Sequence, residues 1–175
     1  MKQSLPLLGA ATILLIIFGT IYATVQQDQR RAANYPQIQL ASTAAESLNQ
    51  GVKPAQLMTP AVDLNASLAP FLIIYDKSGH VVAGSGYLSR QLAAAPLGIL
   101  TAAQSQAYHA VTWQPQAGVR IAAVTVSAKD YYVLSGRSLR EVEANEAASL
   151  HLAITGGLAS LAVLGVVSWL VRKAQ

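Results

Sequence analysis

Two long apolar stretches lie at the ends of the chain, and between them apolar and polar residues alternate over short distances. Residues 5–25 contain no charged side chain, and residues 148–171 contain only His151 as a titratable group. Each stretch exceeds the roughly 20 residues that cross about 30 Å of hydrocarbon. The pattern therefore predicts one transmembrane helix at each end of the chain.

The first apolar stretch has an alternative interpretation as a cleaved signal peptide. It follows Lys2 directly and ends near the small residues Ala23 and Thr24. The apolar core of a signal peptide usually has about 7–15 residues, which is shorter than this stretch. Because a second span also follows, we favour an uncleaved anchor.

The segment after the first span has a helical repeat. Asn34 is a candidate cap with Pro36 in the first turn, and Gly51 is a candidate stop. Since proline can also lie inside a helix and kink it, the pattern leaves open whether one helix runs from the membrane through Pro36. The apolar positions of the repeat, at spacings of three and four, are Ile38, Ala41, Ala45, Leu48 and Val52.

Five short stretches of the middle region are typical of β-strands. Residues 53–70 contain three prolines and predict an irregular connection, after which residues 71–76 and the HVVAGSG stretch flank a Lys-Ser-Gly turn and predict a hairpin. Residues 96–106 predict a short helix. The last three strands, separated by the turn sequences PQAG and SAKD, are predicted at about 109–114, 119–127 and 131–136.

The last part of the chain changes from a strand pattern to a helix pattern at Arg137. Ser138 and Glu141 have the spacing of a capping box, and no helix breaker precedes the second span. The element order predicts an α+β fold, with flanking helices packed on one face of a five-stranded antiparallel sheet. We divide the chain into a first span (1–25), a middle domain (26–147), a second span (148–171) and a short tail (172–175).

Composition and charge agree with a membrane protein and argue against a nucleic-acid-binding one. Hydrophobic residues make up 53% of the chain and charged residues only 11%, which is too apolar for a typical soluble chain of this size. All 8 acidic residues lie between Gln26 and Ser149, together with all basic residues except Lys2, Arg172 and Lys173. The middle domain is thus close to neutral, without the clustered basic face that nucleic-acid binding needs.

The positions of the basic residues also predict the orientation in the membrane. Lys2 lies before the first span, and Arg172 and Lys173 follow the second. Positive residues favour the cytoplasmic side, so we expect a two-pass protein of the cytoplasmic membrane with both termini inside and the middle domain outside. Four arginines near the outer ends of the spans would by themselves favour the opposite orientation: Arg30, Arg31, Arg137 and Arg140. Their effect is small, because long loops are translocated largely regardless of their charge.

Signatures of enzymatic chemistry are absent from the sequence. There is no cysteine, and His80, His109 and His151 share no metal-ligand spacing. There is also no His-Glu-x-x-His helix, P-loop or Gly-x-Ser-x-Gly elbow. The Gly84-Ser85-Gly86 stretch has no basic neighbour before Arg90, so a bend or bulge is favoured over a phosphate loop. We expect no catalytic residue, no metal and no cofactor.

A ligand pocket on the sheet is the remaining candidate for chemistry. Strand alternation places His109, Val111 and Trp113 on one face, and ligand sites combine apolar walls with a few polar groups. The pattern favours the alternative that Trp113 belongs to the core and Arg120 is paired at the surface. The candidate ligand-binding residues are Tyr75, Tyr87, His109, Trp113 and Arg120.

Small residues recur at spacings of four in both predicted spans and would let helices approach closely. This pattern leaves two arrangements open, packing of the two spans within one chain and a homodimer through the terminal helices. The residues are Gly19 and Ala23 in the first span, and Thr155, Gly156, Ala159 and Ser160 in the second.

The order of the elements and four sequence segments give the chain a family resemblance. The segments are NYPQIQLASTAA, FLIIYDKSGHVVAGSG, VTWQPQAGVRIAAV and LSGRSLREVE. Residues 26–150 resemble the extracytoplasmic sensor region of bacterial histidine kinases and chemoreceptors, a PAS-like or single-Cache domain between two membrane helices. The resemblance implies a ligand-sensing or partner-sensing fold whose terminal helices carry a displacement through the membrane.

The chain departs from that family after the second span, where residues 172–175 leave no room for a HAMP linker, a phosphorylatable histidine helix or an ATP-binding domain. We therefore expect a non-enzymatic membrane sensor or regulator that acts on a protein partner in the membrane. The alternative is a structural or accessory subunit of a membrane complex that binds no small molecule. A hydrolase with an unrecognised site is a third, weaker alternative.

Overall fold

The computed structural model describes residues 4–174, apart from the side chains of residues 4–8, 30, 33 and 172. Two residues of the predictions lie outside the described residues: Lys2, near the start of the predicted first span, and Gln175, the end of the predicted tail. The helices are α1 (Ser4–Asn49), α2 (Leu97–Thr101) and α3 (Arg140–Ala174), with 3-10 turns at Pro54–Leu57 and Ala102–Gln104. The strands are β1 (Val62–Asp63), β2 (Phe71–Asp76), β3 (Val81–Gly84), β4 (Gly86–Leu88), β5 (Gln91–Leu92), β6 (His109–Gln116), β7 (Val119–Ser127) and β8 (Tyr131–Ser138).

The contacts divide the chain into two compact units. One unit consists of the helical segments before Arg30 and after Val142, and the other is Arg30–Val142. Both α1 and α3 have residues in each unit. The second unit contains the sheet.

A five-stranded antiparallel sheet with the strand order β3-β2-β8-β7-β6 forms the centre of this unit. The predicted α+β class and the predicted antiparallel sheet are therefore confirmed. A smaller sheet with the order β1-β4-β5 lies outside the prediction. Its strands have only two or three residues, too few for a hydrophobic period to appear in the sequence.

Both faces of the five-stranded sheet are buried at its central strands β2 and β8. Phe71, Ile73 and Tyr75 pack with Leu100 of α2 and with the small sheet, and we call this side the α2 face. Leu72 and Ile74 pack against the last turns of α1 on the opposite side, the α1 face. This differs from our expectation of helices on one face only. The continuous apolar run of β2, whose residues 71–75 are all buried, is the physical reason, since such a strand needs cover on both sides.

Helix α1 is unbroken through Pro36, which decides the question that the sequence left open. The helix ends at Asn49, and Gly51 has a left-handed backbone with φ of 92°. The Gly51 N–H donates to the carbonyl oxygen of Leu48 at 3.0 Å, and Val52 N–H donates to Ser47 at the same distance. This confirms the predicted stop at Gly51.

Helix α3 begins at Arg140, just after the predicted cap at Ser138. Ser138 is still the last residue of β8, where it pairs with Ile121 of β7. Its Oγ accepts a hydrogen bond from Arg140 N–H at 3.3 Å, and Glu141 binds Arg137 instead of completing a capping box. Ser138 therefore ends β8 and also accepts a capping hydrogen bond at the start of α3, whereas the capping box is not completed.

The turn between β4 and β5 has two non-glycine residues with a left-handed backbone. Ser89 has φ of 49° and Arg90 has φ of 69°, and Leu88 pairs with Gln91 on either side. A two-residue hairpin turn of this type favours Asn-Gly, because a Cβ is strained at positive φ. Ser89 and Arg90 therefore have a locally strained backbone.

We expect Arg90→Gly to raise the free energy of unfolding by about 1 kcal/mol, because glycine removes the Cβ strain at this position. Thermal unfolding of the full-length protein in detergent, followed by near-UV circular dichroism, measures the change. The matched control is Gln91→Gly in the adjacent strand, where glycine is expected to destabilise by about 0.5–1 kcal/mol. An unchanged or lower midpoint for Arg90→Gly would contradict the strained turn.

Candidate functional site

Tyr75, the first of the predicted ligand residues, is fully buried on the α2 face. Its hydroxyl donates a hydrogen bond to the carbonyl oxygen of Ala93 and accepts one from Ala95 N–H, both at 3.1 Å. Burial raises the pKa of Tyr75 to about 12. The side chain holds the segment that leads into α2 against the sheet.

His109 and Trp113 lie on the α2 face of β6, as strand alternation predicted, and Trp113 belongs to the core. Thr125 pairs with His109 in register and is fully buried. Its Oγ1 has no hydrogen-bond partner within the described chain. A buried hydroxyl without a partner is unusual, so the α2 face beside His109 offers a polar group to a ligand or a water.

Arg120 and Tyr87 occupy other places. Arg120 is exposed. Its neighbour Ile121 is on the α2 face, so alternation along β7 places Arg120 on the opposite face of the strand. Tyr87 is half-buried in the small sheet, where it pairs with Asp63 and Leu92. The structure therefore places Tyr75, His109 and Trp113 on the α2 face and does not bring Tyr87 and Arg120 to the same place.

Ser85, the centre of the Gly-Ser-Gly stretch, joins the two sheets and is buried in the predicted bend. Its Oγ accepts hydrogen bonds from Leu72 N–H at 3.0 Å and from the Thr59 hydroxyl at 2.8 Å. Its backbone N–H donates to Leu72, and its carbonyl oxygen accepts from Val62 N–H. These contacts give Ser85 a structural role at the point where the chain passes from β3 to β4.

A buried hydrogen bond that sequence reasoning missed connects α1 to the sheet. Ser135 of β8 donates its hydroxyl proton to Gln37 Oε1 at 2.6 Å, and both side chains are at most 1% exposed. Gln37 lies four residues before Ala41, at an apolar position of the helical repeat. A polar residue at such a position was the available signal in the sequence. At the end of the same helix, Asn49 Oδ1 accepts a hydrogen bond from Lys129 N–H at 2.8 Å.

Lys77 holds together one end of the sheet. Its Nζ donates to the Ala128 carbonyl oxygen at 2.6 Å and to Ser127 Oγ at 3.0 Å, and it lies 4.2 Å from the centre of the Tyr132 ring. Partial burial lowers its pKa, while the nearby Asp130 acts in the opposite direction. The Lys77 ammonium thus has a structural set of partners.

The two helical segments of the other unit are apolar and exposed. Two helices, Gly9–Asn49 and Arg140–Val171, are long and apolar enough to cross a membrane, and their apolar windows are 0% buried. The hydroxyls of Thr20, Thr155 and Ser160 donate to carbonyl oxygens of their own helices at 2.7–2.8 Å. Hydrocarbon offers no other partner for such groups. The prediction of two helices able to span a membrane is therefore confirmed.

These two helical segments contact each other within the chain. A Cβ built on Gly156 of α3 would lie 3.1 Å from Phe18 Cε1 of α1, so the phenyl ring packs on the glycine. Beside this contact is an apolar groove with a volume of about 340 Å³. The groove is lined by Leu14, Leu15, Phe18, Gly19, Tyr22, Leu150, Ala153, Ile154, Gly157, Leu158 and Leu161.

Comparisons of the chain with models of known protein families, with curated proteins and with solved structures give no match. Within residues 4–174, no three His, Asp or Glu side chains form a group that could hold a metal ion.

Proposed function

We propose that this chain is a non-enzymatic sensor or regulatory protein of the cytoplasmic membrane, with a PAS-like or single-Cache domain outside the cytoplasm. The domain binds a ligand or a partner, and the two long helices relay the event to another membrane protein. The observation that carries the proposal is the continuity of α1, a single helix of 46 residues. Its first half is a candidate span and its last turns pack on the sheet.

The contact of α1 with the sheet is suited to transmitting a displacement. Small side chains, Ala41, Ala44 and Ala45, are buried there and bring the helix close to β2 and β8. The Gln37–Ser135 hydrogen bond fixes the helix at one point, and the Asn49–Lys129 hydrogen bond fixes its end. Because close-packed interfaces move between discrete arrangements rather than deforming smoothly, a shift of the sheet would move the whole helix.

The proposed orientation has both termini in the cytoplasm. Lys173 Nζ lies 5.3 Å from the centre of the Trp169 ring at the end of α3. Tryptophan and lysine are enriched where a span leaves the hydrocarbon, and basic residues favour the cytoplasmic side. This pair supports a cytoplasmic end for the second span.

A specific observation favours the alternative of an accessory subunit without a small-molecule ligand. Tyr75 and Trp113 are core residues, and the Tyr75 hydroxyl already has two backbone partners. The buried hydroxyl of Thr125 beside His109 supports the sensor instead, since a polar ligand group would complete its hydrogen bonding. The two functions differ in whether changes in the sheet domain alter the spans.

Thiol cross-linking between the spans tests the relay directly, since the chain has no cysteine of its own. Phe18→Cys with Gly156→Cys places two thiols in neighbouring helices. The Phe18 ring fills the space between these positions, so the rate of cross-linking in native membranes is measured with a short bifunctional thiol reagent. We expect Gln37→Leu, at the contact of α1 with the sheet, to change this rate by about fivefold, the lower end of usual coupling between sites.

The matched control is Leu100→Ala, which destabilises the α2 face without touching the packing of α1. An equal change in both variants would indicate general loss of fold, and no change in either would overturn the relay. A pull-down of the full-length protein in gentle detergent identifies the partner by mass spectrometry. A kinase or chemoreceptor would support a sensor, and an enzyme or transporter complex with an unchanged cross-linking rate would support an accessory subunit.

A further inference from the structure

The edge strand β6 has one unpaired side. β6 is the last strand of the five-stranded sheet and pairs only with β7, from His109 with Thr125 to Gln116 with Val119. The backbone N–H and C=O groups on its other side have no strand partner within the described chain. A strand edge of this kind is a template for pairing with another chain.

Most proteins protect an exposed edge with charges, proline, a bulge or a short strand. The first five residues of β6, HAVTW, contain none of these. The irregular register and Pro115 come only after Trp113. The opposite edge differs, because β3 has only 4 residues and contacts the 3-10 turn Pro54–Leu57.

We propose that β6 pairs with β6 of a second copy of this chain, antiparallel about a two-fold axis at Val111. The two five-stranded sheets then form one continuous sheet across the dimer. Val111 lies opposite Val111 of the second copy, Ala110 opposite Thr112, and His109 opposite Trp113. A β-branched pair and an aromatic pair stabilise adjacent strands.

The second copy is favoured over a strand of another protein by the absence of charge. The strand has no Lys, Arg, Asp or Glu, so identical strands meet without like charges facing each other. Strand addition gains affinity from backbone hydrogen bonds, and β6 offers no charged side chain by which a different partner would be recognised. Pro115, which lacks an N–H, ends the pairing and keeps it short.

Membrane anchoring makes such a short interface sufficient. Two copies confined to one membrane surface meet at a much higher effective concentration than two soluble chains. The pairing lies in the sheet domain and is therefore independent of any contact between the spans. Changes in the dimer would reach the partner protein by the relay proposed above, but the pairing itself does not depend on that relay.

A charge-swap experiment on the full-length protein in proteoliposomes tests the pairing. Ala110→Lys with Thr112→Lys places lysines opposite each other across the axis, and Ala110→Glu with Thr112→Glu does the same with glutamates. We expect the association constant of each chain alone to fall at least about tenfold, because like charges lie directly opposite. Mixing the lysine and glutamate chains is expected to restore the dimer.

The control for folding is Ala110→Gln with Thr112→Gln, which adds polar bulk without charge and is expected to dimerise like the natural sequence. Dimerisation of the lysine chain at the natural level, or failure of the mixed chains to assemble, would overturn the proposal.

Cross-linking of cysteines locates the interface. We expect Val111→Cys to form a disulfide-linked dimer in native membranes, whereas Val82→Cys on the opposite edge, 48% exposed, stays monomeric. Equal cross-linking at both edges, or a Val111→Cys product that contains a different protein, would overturn pairing with a second copy.

Discussion

Replacing Phe71 with alanine is expected to lower the free energy of unfolding by about 3–5 kcal/mol, the usual cost of removing a buried phenyl ring. Phe71 is 0% exposed and fills the space above two glycines. A Cβ built on Gly136 would lie 2.5 Å from Phe71 Cζ, and a Cβ on Gly86 would lie 2.5 Å from Phe71 Cδ2. Removing the ring leaves a cavity that glycine cannot fill.

The reverse change should also destabilise the protein. Gly136→Ala forces a methyl group against the ring and against Ile121, at a cost of about 1–3 kcal/mol for overpacking. Combining it with Phe71→Leu frees part of the space, so the pair should cost less than the sum of the single changes. Denaturant unfolding of the full-length protein in detergent measures all four chains. Val82→Ala at the exposed edge is the control, and a Phe71→Ala cost no larger than that of this control would contradict the packing.

The sequence predicted the elements that have a hydrophobic period or a strong local signal. The alternation of apolar and polar residues predicts the five strands, and the length of the apolar stretches predicts the two long helices. The stop at Gly51 follows from the backbone freedom of glycine. Unbroken passage of α1 through Pro36 was not decided, because a proline removes one hydrogen bond and can either end a helix or only kink it. The small sheet was missed because strands of two or three residues have no measurable period.

The candidate site was less predictable, because it depends on contacts between distant residues. Alternation placed His109 and Trp113 on one face of β6, but no local rule relates Tyr87 or Arg120 to that face. The hydrogen bond between Gln37 and Ser135 joins residues 98 positions apart, and only the polar residue in an apolar helical position signalled it. The unpartnered Thr125 hydroxyl has no sequence signal, because threonine is common in strands.

The second large effect is expected at the hydrogen bond between α1 and the sheet. Gln37→Leu leaves the Ser135 hydroxyl buried without its acceptor, and Ser135→Ala leaves Gln37 Oε1 without its donor. Each single change is expected to lower the free energy of unfolding by about 1–3 kcal/mol, since an unsatisfied buried polar group costs this much. Replacing both groups by apolar ones removes the penalty, so the double variant should be more stable than either single variant.

The size of the coupling decides whether this contact fixes α1. We expect the double-mutant cycle of Gln37→Leu and Ser135→Ala, measured by denaturant unfolding in detergent, to give a coupling free energy of about 1–2 kcal/mol. A control cycle on the exposed Gln116–Asn65 hydrogen bond, 3.1 Å long, should give nearly zero, because water replaces either partner. Additive effects at Gln37 and Ser135 would mean that water or another group satisfies them, and the Asn49–Lys129 hydrogen bond would then be the remaining described hydrogen bond that holds α1 to the sheet. A large coupling together with a changed cross-linking rate in the spans would assign both the stability and the relay to this hydrogen bond.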